Sequence, residues 1–117
     1  MSRLRLLARD DAPLHARRIY AADGSASALK RSLANAPDLL ETLLAFLGEI
    51  YDEGSVDLAT KELVVVRVSQ LNGCRYCLAS HRPIALDVGV PAEQVGAICD
   101  ERPLSELPER ERTIVEW

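Results

Sequence analysis

The sequence contains no apolar stretch approaching the ~18 residues that a membrane-spanning helix needs, so it offers no transmembrane segment. No secretory signal is expected either. Arg3, Arg5 and Arg9 interrupt the leucines of residues 1–10, leaving no continuous apolar core of ~7–15 residues. These absences lead to the expectation of a cytoplasmic protein. There is no basic surplus either: a net charge of −4 and a pI near 5.2 exclude a broad basic surface for nucleic acid. The acidity is uneven, with seven basic and six acidic groups in residues 1–50 against seven and twelve in residues 51–117.

Cysteine is scarce. Three is an odd number, and two of them stand three positions apart, which argues against a framework of structural disulfides and suits a reducing compartment. Repeats, low-complexity tracts and linkers are also lacking. The 117 residues, 48% of them hydrophobic, therefore read as a single domain over 1–117 with a modest core. Its final pattern stops at Trp117 in mid-helix, consistent with a fragment of a longer chain.

What is present is helical punctuation. Asp11 with Pro13 starts a short helix through Tyr20, and residues 22–25 read as a turn. Ser25 or Ser27 caps a second helix to Asn35. Pro37 suits the first turn of a third, in which Leu39, Leu40, Leu43, Leu44, Leu47, Ile50 and Tyr51 recur at three- and four-residue steps until Gly54. Asp57 caps the next element. Its Val64-Val65-Val66 run suits a buried strand equally well, but the distance from Asp57 to Asn72 exceeds a usual strand and decides for helix. Apolar residues at 63, 64, 65, 66, 68 and 71 cover most of its circumference, which predicts burial on several sides or a subunit interface. A Cys-bearing helix then runs to Gly89, another from Pro91 to Asp100, and a last one begins at Pro108 after a break at Pro103 and a possible cap at Ser105. The fold class expected is all-α, with about six to seven helices and a central αα-hairpin about Asn72-Gly73.

The chemistry concentrates at residues 72–81. A Cys-x-x-Cys pair can close a reversible disulfide, and at roughly 100° per residue Cys74, Cys77 and His81 fall within about 60° of one another if all three are helical. Gly73 breaks the chain just before the pair, placing it in a first helical turn, where unpaired N–H groups favour a thiolate. Arg75 and His81 add positive charge. Such a thiolate suits attack on a peroxide or disulfide, with the partner thiol closing a disulfide afterwards. In the hairpin, Glu62 lies level with residues 81–84, where its carboxylate could orient the imidazole or take a thiol proton through water. Level alone does not establish facing.

Each of these residues also has a plainer reading. The cysteines could be inert, His81 a hydrogen-bonded structural residue, Glu62 a solvated helix residue, Tyr76 a packing group or hydroxyl donor, and Cys99 a small buried apolar residue. Zinc held by Cys74, Cys77, His81 and either Glu62 or Cys99 competes for the same residues, but no second ligand pair stands at the usual spacing. A thioredoxin-like domain needs a βαβ sheet that this pattern lacks. A non-enzymatic helical subunit that senses oxidation or scaffolds a partner shares every feature except turnover.

The pattern Glu62-x11-Cys74-x2-Cys77-x3-His81, with residues 63–73 reading LVVVRVSQLNG, resembles the alkylhydroperoxidase D-like core of the carboxymuconolactone decarboxylase superfamily, its peroxidase-related branch most of all. Pro37-Asp38-Leu39-Leu40, Gly89-Val90-Pro91 and Leu107-Pro108-Glu109-Arg110-Glu111-Arg112 match as flanks, so the likeness covers about residues 30–117. The resemblance implies an alkylhydroperoxidase D-like fold, assembly as trimers or hexamers, and a thiol peroxidase cycle with no metal or organic prosthetic group. It casts Cys77 as the cysteine oxidised to sulfenic acid and Cys74 as the partner that donates a proton and closes the disulfide. Glu62 and His81 become the proton relay. Hydroperoxide is the implied substrate, and a dithiol carrier such as a lipoyl group the implied reductant. The best-studied peroxidase members carry a His immediately before the second Cys. This chain has Tyr76 there, which is no base near neutrality. Members of the decarboxylase branch generally lack the Cys pair, so decarboxylation is not expected.

Overall fold

A computed structural model describes residues 3–52 and 54–116. Met1, Ser2, Glu53 and Trp117 lie outside the described residues, and with Trp117 the expected end of the last helix. Among the described residues the structure is all-helical. Six α-helices are present: α1 (Ala28–Leu33), α2 (Pro37–Tyr51), α3 (Leu58–Leu71), α4 (Arg75–Asp87), α5 (Ala92–Cys99) and α6 (Glu109–Val115). Short 3₁₀ turns occupy Arg9–Asp11, Leu14–Ile19 and Leu104–Glu106. No helix among the described residues is long and apolar enough to cross a membrane. The chain divides after Ile50 into two compact units.

In the first unit, Leu7, Ala12, Ala16, Tyr20, Ala34 and Leu40 form the buried cluster. The Tyr20 hydroxyl donates to the Leu7 carbonyl at 3.0 Å, and the Arg31 guanidinium donates to the carbonyls of Leu7 and Leu6 at 3.1 and 3.2 Å. Buried loop carbonyls thus find donors where no helix supplies them. The helix expected from Asp11 to Tyr20 is a 3₁₀ helix over Leu14–Ile19. Of the two serines proposed as caps for α1, Ser27 serves, its hydroxyl accepting from the Lys30 N–H at 3.3 Å. In α2 the periodic pattern is realised as a helix, but Leu40 is its one buried residue, and Leu39, Phe46 and Ile50 are exposed.

In the second unit, α3 begins as its sequence directs. The Asp57 carboxylate accepts from the Thr60 N–H at 2.8 Å and from the Thr60 hydroxyl at 2.9 Å, a cap of the kind worth about 1 kcal/mol. Leu63 and Val66 of α3 pack with Ala85, Val90, Val95, Ala97, Ile98, Leu107 and Val115 into the larger core. Arg67 ties α3 to the end of α6, its Nε donating to the Val115 carbonyl at 3.1 Å. Burial on several sides of α3 is not what the structure shows. Glu62, Leu63, Val66 and Ser69 are buried, whereas Val64, Val68 and Leu71 are exposed. These last three recur at four- and three-residue steps, about 180° from the buried face. The other helices of this unit cover one side of α3 and leave that stripe open.

The turn between α3 and α4 follows from one residue. Gly73 has φ +60°, its N–H donates to the Gln70 carbonyl at 2.9 Å, and the Cys74 N–H donates to the Ser69 carbonyl at 2.9 Å. This is the Schellman arrangement, in which a left-handed residue after the helix lets two N–H groups satisfy the last carbonyls. Glycine adopts that φ without the roughly 1–2 kcal/mol cost of a Cβ. The same pair of bonds closes α4, from Gly89 to Leu86 and from Val90 to Ala85, and α5, where the left-handed residue is Glu101 at φ 55°. Because Gly73 reverses the chain in so few residues, α3 and α4 form the expected hairpin, and Cys74 becomes the N-cap of α4.

Candidate functional site

Cys74 precedes the first helical residue of α4, with φ −79° and ψ 87°, so the two cysteines and His81 are not all helical as the angular estimate assumed. Cys77 lies within the first turn. The two sulfurs are joined in a disulfide, with Cα atoms 5.3 Å apart, inside the range such a bond requires. The Cys77 N–H also points at Cys74 Sγ, at 3.2 Å. An N-cap sulfur therefore takes the place that a serine or aspartate oxygen usually fills, in the field of the helix N-terminus. When the disulfide opens, that position favours negative charge on the Cys74 sulfur. Both cysteines are partly exposed, which leaves the bond accessible to an attacking thiolate.

The hairpin register decides the rest. Glu62, in the second turn of α3, is 2% exposed, and its Oε2 stands 2.9 Å from Nδ1 of His81 on α4. A buried carboxylate without a partner is costly, so the imidazole is its structural complement. With Glu62 ionised, Nδ1–H is the donor in this pair and Nε2 is left free to accept a proton. The level placement of Glu62 with residues 81–84 thus becomes actual facing. His81 is one helical turn beyond Cys77, on the side of α4 that meets α3.

One member of the site was not singled out from the sequence. Tyr51, the last residue of α2, lies with its ring centroid 6.4 Å from that of His81 and the two planes 18° apart. Burial, and then the charge of Glu62, push its phenol above the usual tyrosine range. In the sequence it appeared only as the end of an apolar pattern, and nothing local connects it to a histidine thirty residues later. Tyr76, between the cysteines, is half exposed. Pro83 sits inside α4 two residues past His81 and cannot supply the N–H that would otherwise reach the Ala79 carbonyl.

Cys99 is separate from this group. It ends α5, partly buried against the larger core rather than fully inside it. Burial pushes its thiol above the ordinary cysteine value; the nearby Arg82 opposes this and Asp100 adds to it. Such a thiol is a poor nucleophile near neutrality. Among the described residues no three His, Cys, Asp or Glu side chains gather as a metal-holding group. The sulfurs of Cys74 and Cys77 bond to each other, and Nδ1 of His81 is engaged by Glu62.

A family model described as "Carboxymuconolactone decarboxylase family" matches residues 37–115, the stretch that holds the hairpin, the disulfide and the Glu62–His81 pair. An uncharacterised protein of Bacillus subtilis (strain 168), YdfG, is 35% identical over 43 residues, which is 37% of this chain and 29% of that protein. The similar segment therefore spans under a third of the relative's length. No solved structure matches. With more than half of its length matched, and with a disulfide-linked Cys-x-x-Cys pair that fits a redox role, the chain belongs to the carboxymuconolactone decarboxylase family, which includes the alkylhydroperoxidase D-like proteins.

Proposed function

We propose that this chain is a thiol-dependent hydroperoxide reductase. The observation that carries the reading is the Cys74–Cys77 disulfide at the start of α4, one turn from a histidine bound to a buried carboxylate. In the reduced protein, the Cys77 thiolate attacks the terminal peroxide oxygen; the O–O bond breaks, the alcohol leaves with one proton, and Cys77 becomes a sulfenic acid. The Cys74 sulfur then displaces hydroxide from that sulfenic acid, which leaves as water, and the disulfide forms. An external dithiol, such as a lipoyl group, returns two electrons and two protons by exchange and is itself oxidised to a disulfide. Glu62 holds His81 with Nε2 as the accepting nitrogen, suited to take the thiol proton and return it to the leaving oxygen. A catalytic dithiol of this kind works in a reducing compartment, which supports a cytoplasmic location. No metal or organic prosthetic group enters the cycle.

The test is a thiol count. Reduced, metal-stripped protein is mixed with one equivalent of cumene hydroperoxide and its peptides are mapped by mass spectrometry. The expected product is a Cys74–Cys77 disulfide formed within seconds, with Cys99 still free, and repeated turnover once dihydrolipoamide is added. Survival of all three thiols would refute the proposal. A disulfide that forms but supports no turnover with any dithiol would favour the redox-sensing subunit instead.

The chain is further proposed to act as a homo-oligomer. The exposed stripe of Val64, Val68 and Leu71 on α3 supports this, because a row of apolar side chains along one helix face gains by being covered. Light scattering at micromolar concentration is expected to give a multiple of the 12.9 kDa chain mass, with Val68→Glu shifting it to the monomer. A monomeric starting protein would refute the assembly.

A further inference from the structure

We propose that Tyr51 is a positioning residue for the Glu62–His81 pair, its ring lying against the imidazole and holding Nδ1 on the carboxylate. The proposal rests on the reading of His81 as part of the proton relay.

A histidine on a helix has a broad, nearly two-fold torsion about its ring bond, so rotation can carry Nδ1 away from any single partner. His81 is anchored in the plane of its ring by the 2.9 Å contact with Glu62 Oε2, and its side chain is 24% exposed. In-plane bonding alone leaves the faces of the ring uncontrolled. Tyr51 supplies that control: the near-parallel planes, 18° apart with centroids 6.4 Å apart, describe an offset stack. A ring in that place opposes the imidazole's turning out of the plane of the hydrogen bond. That constraint supports the interaction with a carboxylate already withdrawn from solvent.

Burial and the nearby Glu62 charge hold the Tyr51 phenol in its protonated form at neutrality, so it cannot serve as a base. What Tyr51 contributes is therefore its ring, and phenylalanine should replace it. The role is one of position, felt through His81 and not through contact with peroxide or thiol.

The test uses the tautomer of His81, read from side-chain ¹⁵N shifts above the pH at which the imidazole loses its charge. The chain has two histidines, and His15, in the first unit, serves as the internal reference. Wild type and Tyr51→Phe are expected to show His81 mainly as the Nδ1–H tautomer. Tyr51→Ala and Tyr51→Leu are expected to move it toward the Nε2–H-rich mixture of a free imidazole, with His15 unchanged. Disulfide formation with cumene hydroperoxide should slow about tenfold in the alanine and leucine variants, a fraction of what a positioned acid–base group supplies, and about twofold at most in Tyr51→Phe. Leucine keeps bulk at the position, so the pair of variants separates loss of the stack from loss of packing, and far-ultraviolet dichroism verifies the helices. An unchanged His81 tautomer in both would overturn the proposal. A tautomer shift with no change in rate would uphold the positioning and refute the relay reading beneath it.

Discussion

Cys77→Ser protein is expected to consume no hydroperoxide above the uncatalysed background, because a serine hydroxyl lacks the thiolate that breaks the O–O bond. Cys74→Ser is expected to behave differently. Its Cys77 can still be oxidised once, so it should consume one equivalent of peroxide per chain and then stop, with a sulfenic acid that a dimedone probe can trap. The contrast separates the two sulfurs in a way that a single knock-out cannot. It also addresses a tension within the site. The Cys77 N–H and the helix N-terminus favour charge on the Cys74 sulfur, whereas the family resemblance gives the first attack to Cys77. If Cys74→Ser abolishes all consumption and Cys77→Ser retains one equivalent, the roles are reversed. If Cys77→Ser turns over like wild type, the peroxidase proposal is wrong.

The second large effect concerns Glu62 and His81. Either Glu62→Gln or His81→Gln is expected to slow disulfide formation by ~10²-fold, the lower end of what positioned acid–base catalysis contributes, or about 2.7 kcal/mol of barrier. The two substitutions should not add, since each disables the same pair. Stability separates them further. His81→Ala removes the donor facing a carboxylate that is 2% exposed, leaving that acceptor unsatisfied at a cost of ~1–3 kcal/mol. Glu62→Gln keeps an acceptor for Nδ1–H and should cost less. Calorimetric melting would show a drop of roughly 4 °C per kcal/mol for a chain of this size. A double variant as slow as the product of the singles, or His81→Ala melting like wild type, would count against the pair as a coupled unit.

How much of this was written in the chain can be judged residue by residue. Asp57, Pro37, Ser27 and Gly89 act on their immediate neighbours, through a cap bond, a fixed φ or a left-handed turn, and local effects of that kind are legible in a linear sequence. Gly73 belongs with them, and it has the longest reach: by reversing the chain within a residue or two it sets α4 against α3. The disulfide is nearly as local, since three residues separate its sulfurs. Arithmetic from the turn also brought Glu62 to the level of His81.

Facing was a different matter. Which side of α3 turns inward depends on where α5 and α6 pack, and the apolar circumference of residues 63–71 was ambiguous because the stripe of Val64, Val68 and Leu71 is as hydrophobic as the side that is buried. Leu39, Phe46 and Ile50 of α2 show the same limit: periodicity makes a helix with an apolar face but does not supply what covers it. By itself, then, the sequence determined the α-helices of the second unit, the Asp57 cap, the hairpin and the sulfur pair, since each arises from interactions a few residues long. Only the tertiary structure decided that Glu62 would be buried and bound to His81, and that the Tyr51 ring would stand beside the imidazole, near-parallel to it. Those contacts span nineteen and thirty residues, and their free energy comes from packing that exists only once the helices have assembled.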